Sequence, residues 1–565
     1  MPGANQVFTN NPLKMKNEKP GPAYIARRIK NLLFPPVRLL PWPSDIIVEQ
    51  NAGITVRDGT VLRANIFRPA KEGQYPVIMS AHPYGKDNYN RKGRLGVRPF
   101  FQYRIINQPM PINTSERASW EAPDPAFWVP KGYVVINLDL RGFFASPGEG
   151  EVLSDQEAQD YYDCIEWAAS QPWSNGKVGL NGVSYLAISQ YKVAALHPPH
   201  LAAICPWEGF TDAYKDLLYP GGIREDGFAK MWGNMVHSKT NIRTEQMNRP
   251  LRDEYYRSLV PNLKKISVPA LICGSFSDQC LHSQGSIRAF NEISSPQKWL
   301  YTHRLGKWGA YYGQDALAIQ RKFFDHFLKG EANGMPEMPP VRLEVMESGQ
   351  QAHRIAWEAA FPPPGTTWRT LYLDGKSGQL SEDLPQPTGQ AFFEMEKGRA
   401  CFEWVAEKDL EVVGPMVLKL FVELKEASDL NLFAGIRKIR DGRQVVFEGS
   451  YGFGYDLVTR GWQRVSLRKV TPGSERPGYV EHDFDQEEPL KPGEIVELAL
   501  SLLPSATFFK KGDVLRLDLQ GHWFFGSNVL IYGPAKYEGS SGGTCIVYSG
   551  EKYPSQLQIP ISATS

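Results

Sequence analysis

The stretch Val178-Gly179-Leu180-Asn181-Gly182-Val183-Ser184-Tyr185-Leu186-Ala187 decides how this chain is read. Val178 to Leu180 is a short apolar run of the kind that makes a strand buried on both faces, and a helical pattern, Ser189 to Leu196, follows it. A serine held in a tight turn from strand to helix stands at the carboxyl edge of a sheet with its hydroxyl exposed, the geometry of a nucleophile elbow. Such a turn needs a small residue two places earlier, and Gly182 supplies it. The amino end of the following helix also favours developing negative charge. Leu186 stands where the generic GxSxG pattern has its second glycine, so this stretch alone does not separate a nucleophile from a plain turn serine.

Outward from the turn, short apolar runs recur at Val77 to Met79, Val134 to Asn137, Ala203 to Cys205, Ala270 to Cys273 and Trp299 to Tyr301, with a helical pattern at Ala158 to Ser170. Strand, loop and helix in repetition over 46–330 predict an α/β domain with a mainly parallel sheet. Residues 209–262 break the rhythm, rich in aromatic and charged residues without a clean strand, and read as a helical cap inserted over the sheet edge. A Gly- and Pro-rich segment follows, Gly330 through Pro340, with 331–340 as the linker. Beyond it, 341–565 carries alternating strands at Val341 to Val345, Met416 to Leu424, Ile495 to Leu503 and Val514 to Leu519, as in an antiparallel β-sandwich or jelly roll.

Composition narrows the function classes. The 565 residues are 42% hydrophobic and 22% charged, and 63 basic against 61 acidic side chains leave a formal charge of +2. That balance offers no general field for a polyanion, and no run approaches the roughly 18 apolar residues of a membrane span, so neither nucleic acid nor an integral membrane role is expected. Six cysteines without CxxC spacing read as reduced structural thiols, which points to the cytoplasm. Residues 1–45 form a basic extension: within 1–44, Lys14, Lys16, Lys19, Arg27, Arg28, Lys30 and Arg38 face the single acid Glu18. Within it Ile25, Ile29, Leu32 and Leu33 predict a short amphipathic helix ended by Pro35 and Pro36, docked on the protein's own body.

A serine needs a base, and the base an orienting acid, which in such a fold follow the nucleophile in the order Ser, Asp, His at successive strand ends. The strand ending at Cys273 leads to Asp278, and the one ending at Tyr301 leads to His303. The expected triad is therefore Ser184, Asp278 and His303; His282 and His326 are rivals for the base whose neighbours read as helical. The oxyanion donors are expected at the backbone N–H of Tyr185 and at the hydroxyl of Tyr84, which follows the Val77 to Met79 strand. Trp207, Phe210, Tyr214, Tyr219, Phe228 and Trp232 crowd the cap; of these Trp207, Phe210, Tyr214, Phe228 and Trp232 are the expected pocket residues, suited to an apolar or aromatic group. No HExxH, phosphate loop or paired CxxC is present, so no metal and no cofactor is expected.

These residues together resemble the cocaine-esterase-like (CocE/NonD) acyl hydrolases and their relatives, the X-prolyl dipeptidyl aminopeptidases. Pro83-Tyr84-Gly85-Lys86 looks like the family's PYGK, Asp139-Leu140-Arg141-Gly142 its DxRG, and Gly182-Val183-Ser184-Tyr185 its GxSY. Ile165-Glu166-Trp167 and Gln171-Pro172-Trp173 resemble the approach to the elbow, and Gly461-Trp462-Gln463-Arg464 the carboxyl-terminal jelly roll. The resemblance spans about 46–560 and implies a tyrosine oxyanion donor at Tyr84 and the acid and base at Asp278 and His303. Ala187 replaces the usual glycine, and Tyr301-Thr302-His303-Arg304 stands where many relatives carry GPWxH. Asp139 and Arg141 read as a structural ion pair or loop clamp.

The expected function is a serine hydrolase of α/β-hydrolase fold that cleaves small carboxylic esters or amides through an acyl-enzyme. The alternatives are an X-prolyl dipeptidyl aminopeptidase or α-amino-ester hydrolase, for which Glu208, Asp212 and Glu225 are available to bind an ammonium, and a noncatalytic ligand-binding relative. A homo-oligomer is compatible with the sequence.

Overall fold

Among the described residues, a mainly parallel sheet of nine strands, its central ones buried on both faces, forms the first part of the fold. In the computed structural model, which describes residues 22–93, 96–349, 351–451, 455–526 and 528–563, the strands are β1 (Ile46–Thr55), β2 (Val61–Pro69), β3 (Tyr75–His82), β4 (Val134–Asp139), β5 (Ser174–Val183), β6 (Leu201–Trp207), β7 (Ala270–Cys273), β8 (Lys298–Tyr301) and β9 (Val341–Ser348). Their order is β1-β2-β4-β3-β5-β6-β7-β8-β9, antiparallel from β1 through β2 to β4 and parallel from β4 to β9. Every residue of β4 and β7 is buried, the polar Asn137 and Asp139 of β4 included, so neither strand shows the alternation of a half-buried one. Helices α2 (Asp155–Ala169), α3 (Tyr185–Ala194), α4 (Ser283–Glu292) and α5 (Gln314–Lys329) connect or cover the strands. Residues 209–262 hold only short helical turns among the described elements, such as Phe228–Met235 and Ile242–Asn248.

The expected boundary at 331–340 is crossed by the sheet itself. β9, read as the first strand of the second unit, pairs with β8 through Leu300↔Val341 and Tyr301↔Arg342, and touches a strand of the carboxyl-terminal part at Met346↔Thr507. The carboxyl-terminal part is mostly antiparallel, with Leu410–Lys425 against Val496–Phe509, and Val514–Gln520 between Arg399–Val405 and Asn431–Arg440. Its own core contains Leu418, Leu420, Leu498, Leu500, Leu515, Leu517 and Leu519. The intervening Arg516 and Asp518 are buried as well, because Arg516 and Arg437 both donate to the Asp518 carboxylate, at 2.9 and 2.6 Å. The amino-terminal helix, α1 (Pro22–Leu33), docks on the body as expected: Asn31 donates to Asn107 and Gln108, and Arg104 donates to the carbonyls of Leu32 and Leu33. The first 21 residues, with Lys14, Lys16 and Lys19, lie outside the described residues. No helix among the described residues is long and apolar enough to cross a membrane.

His82, at the end of β3, is buried with neither ring nitrogen hydrogen-bonded; burial, then the charge of Lys86, lowers its imidazole to about 3. In the unfolded chain it titrates near 6.5, so its contribution to stability is intact above that pH and is lost as pH falls from about 6.5 towards 3. The stability gap between wild type and His82→Asn should therefore narrow between pH 7 and pH 5. Urea midpoints measured for both proteins across that range would show it, and a constant gap would mean that the His82 imidazole charges freely in the folded protein.

Candidate active site

Ser184 follows β5 and caps α3 with φ 60° and ψ −117°, a left-handed conformation costly for any residue but glycine. Its neighbours hold it there: Ser184 N donates to Trp207 O and Val183 N to Glu121 O, each at 3.0 Å. The turn depends on Gly182, whose φ is 155° and whose added Cβ would lie 2.4 Å from that of Leu186. Leu186, the departure from GxSxG, thus packs on the glycine that precedes the serine. Ala187, the other departure, is accommodated because Gly209 has no side chain; a Cβ there would come within 2.9 Å of the Ala187 methyl.

The imidazole against Ser184 belongs to His282. Its Nε2 is 3.1 Å from Ser184 Oγ, its ring stacks on Phe210, and its Nδ1 is buried without a hydrogen-bond partner. His282 caps α4, and its backbone N–H donates to Asp278 O. The apolar surroundings, and secondarily the positive charge of Lys307, push the imidazole well below its usual range.

The expected contacts of His303 and Asp278 are corrected by this geometry. His303 Nδ1 accepts from Leu305 N at 3.1 Å, which puts the ring proton on Nε2, and Nε2–H donates to Glu208 Oε1 at 3.0 Å. Both ring nitrogens are thus spent away from Ser184. The physical reason is Glu208: buried at the end of β6 and also accepting from Ser275 Oγ, it captures the imidazole at the neighbouring strand end. Asp278 meets neither histidine side chain in a described hydrogen bond; its Oδ2 lies 2.6 Å from Lys307 Nζ. Burial raises the Asp278 carboxyl, and the ammonium opposes that rise.

Tyr84 is buried beside the elbow, its ring edge-on to Tyr185, and its hydroxyl oxygen accepts from Trp232 Nε1 at 2.9 Å. That bond occupies a lone pair and leaves the hydroxyl proton for another acceptor. Tyr185 is the first residue of α3, so the helix does not use its N–H. Its own hydroxyl donates to Glu157 at 2.5 Å.

Of the expected pocket residues, Phe210 lies on His282 and Trp232 on Tyr84. Phe228 lines a cleft enclosing about 700 Å³, open solvent included, together with Asp278, Leu281, Tyr451, Trp523 and Phe525. Trp207 and Tyr214 do not belong there. Trp207, the last residue of β6, is packed among Tyr301, His303 and Tyr311 at the sheet edge, and Tyr214 among Tyr219 and Tyr256, where segment 209–262 forms a core of its own. Asp139 and Arg141 clamp loops, though not with each other: Asp139 accepts from Lys86 N and Ala145 N, and Arg141 from Nε and Nη2 donates to Asp160. Glu208, Cys273 and His303 bring ligand atoms within 4.8 Å of one another and form the group best placed to hold a metal among the described residues. The Glu208 and His303 atoms are already spent on each other, and Lys307 adds a positive charge beside them.

Sequence reasoning weighed His282 only as a rival base and Glu208 only as a possible ammonium partner, and it missed Lys307 altogether. The available signal for His282 was its place four residues after Asp278, at the start rather than inside a helix.

A serine strained at the carboxyl end of a central parallel strand, with an imidazole on its hydroxyl, defines a serine hydrolase. The comparisons with known proteins agree. Residues 58–249 match the X-Pro dipeptidyl-peptidase (S15 family) profile and 333–558 that of the X-Pro dipeptidyl-peptidase C-terminal non-catalytic domain. A CocE/NonD family hydrolase from Staphylococcus aureus is 37% identical with a TM-score of 0.87, over 91% of this chain and 93% of that one. The cocaine esterase of a Rhodococcus strain is 26% identical over 58% of this chain and 62% of its own length. A putative serine esterase of Mycobacterium bovis is 23% identical over 83% of this chain and 89% of its own. The chain belongs to the CocE/NonD family of hydrolases.

Proposed function

We propose that this protein is a carboxylic ester hydrolase in which Ser184 is the nucleophile and His282 the base. The observation that carries the reading is the 3.1 Å contact between Ser184 Oγ and His282 Nε2 at a strained elbow. The serine proton passes to His282 Nε2 as Oγ bonds to the ester carbonyl carbon. The oxyanion takes hydrogen bonds from Tyr185 N–H and Tyr84 Oη. Its collapse breaks the bond to the alcohol, which leaves with the proton from Nε2, and water deprotonated by His282 then releases the acid. In this reading Asp278 and His303 support the site through Lys307 and Glu208 rather than carry the proton.

The architecture that serves it is an α/β-hydrolase domain, 46–330, with 209–262 as a helical cap, and a jelly-roll domain from 341 whose first strand is shared. The cleft beside Asp278 combines apolar and aromatic side chains such as Phe228, Leu281, Tyr451, Trp523 and Phe525 with Glu225, Asp456 and Arg460, and its apolar share favours an ester with an apolar acyl or alcohol group. An X-prolyl or amino-ester substrate needs a free carboxylate for its ammonium. The three candidates are engaged: Glu208 with His303, Asp212 with Arg252, and Glu225 with the N–H groups of Gly227, Phe228, Ala229 and Lys536. Turnover of p-nitrophenyl butyrate against Gly-Pro-p-nitroanilide tests this: ester hydrolysis should prevail, and preference for the nitroanilide would overturn it.

Tyr84→Phe removes a donor that strengthens in the transition state while keeping the ring in place. Turnover should fall by about a hundred- to a thousand-fold with little change in ground-state binding. Steady-state kinetics on one ester decide it; a rate within threefold of wild type would leave the second donor to a backbone N–H.

A further inference from the structure

Lys307 opens the short helix that follows His303 (Lys307–Tyr311), and its side chain is only 1% exposed. Its Nζ lies 2.6 Å from Asp278 Oδ2 and 5.5 and 5.4 Å from the ring centroids of Trp308 and Tyr451. Its backbone N–H donates to Ser450 O. Burying an ammonium is costly unless opposite charge surrounds it. Here burial works against the charge, but Asp278 and Glu208, joined by Glu121 where it is ionised, outweigh it and hold the ammonium protonated above its ordinary range. Burial in turn pushes the Glu121 carboxyl up to about 8, so at neutral pH it is chiefly the protonated member of the group. Two carboxylates, Asp278 and Glu208, then balance one ammonium.

We propose that Lys307 is a positioning residue: its ammonium neutralises the carboxylates gathered behind Ser184 and thereby keeps His282 unprotonated and able to accept the serine proton. Ser184 from the elbow, Phe210 from the segment after β6, Lys307 from its helix and Asp278 from the preceding loop are the groups around the His282 ring or one turn from it. Of these, Lys307 carries the only positive charge and Asp278 the only negative one. Without Lys307 the uncompensated carboxylates would stabilise an imidazolium, and Ser184 would lose its base at a higher pH. The effect of Lys307 on the imidazole, second only to burial, has the same sign.

The inference rests on His282 being the base, and the test keeps the two apart. In pH profiles of kcat/KM on p-nitrophenyl butyrate, the acid limb of Lys307→Met should move up by about one unit or more, the size of effect a nearby charge exerts. Lys307→Arg should restore it. The double variant Asp278→Asn with Lys307→Met, which removes both halves of the pair, should return the limb towards wild type. Where Lys307→Met does not fold, that double variant is compared with Asp278→Asn alone, and its limb must lie about one unit higher. An unmoved limb with a uniformly lower rate would make Lys307 a packing residue and overturn the proposal. A His282→Gln protein with wild-type rate and profile would instead overturn the base assignment itself.

Discussion

Ser184→Ala should lower ester turnover by on the order of a million-fold while leaving the fold unchanged. The size follows from what a nucleophile does: in a serine protease its loss alone costs about as much as losing its partners with it, because they have nothing left to activate. The fold survives because Oγ is spent on one contact, with His282, while the turn is held by the backbone bonds to Trp207 and Glu121 and by Gly182. Covalent labelling by a fluorophosphonate probe should disappear with the activity. Turnover near wild type in a folded Ser184→Ala protein would remove the central claim.

His282→Gln should cost nearly as much, whereas His303→Gln should cost no more than about tenfold, the worth of roughly 1.4 kcal/mol in a supporting hydrogen bond. The contrast is sharp because both histidines are buried, so loss of packing cannot separate them. What separates them is where the nitrogens go. His282 presents Nε2 to Ser184, and His303 commits one nitrogen to Leu305 N–H and the other to Glu208. Parallel kinetics on the two variants, each checked for thermal stability, decide the assignment; the reverse order of effects would return His303 to the role its place after β8 suggests.

The resemblance in the sequence therefore pointed to the strand ends where Ser184, Asp278 and His303 lie while leaving their contacts open. Order along the chain specifies which strand ends carry Ser184, Asp278 and His303, because parallel strands deliver their carboxyl ends to one edge of the sheet. It does not specify which way a side chain turns once there. At that edge, burial makes each unpaired charge expensive, so Asp278 went to Lys307 and His303 to Glu208, and the remaining imidazole near the serine was that of His282. Lys307 and Glu208 carry no motif; they lie 123 and 24 residues beyond Ser184 and meet only through the crossover connections.

The sequence by itself determined what depends on local pattern: the apolar runs that became β3 to β8, the elbow at Ser184 with its glycine at 182, the strand-free segment 209–262 and the alternating strands beyond 341. Periodicity and turn chemistry act between near neighbours, so they can be read along the chain. Only the tertiary structure decided that β9 joins the first sheet as well as the second, that Trp207 and Tyr214 are core, and that His282 is the histidine on Ser184. Those outcomes depend on competition among groups distant in sequence for a few buried partners, and that competition is settled only when the chain has brought them together.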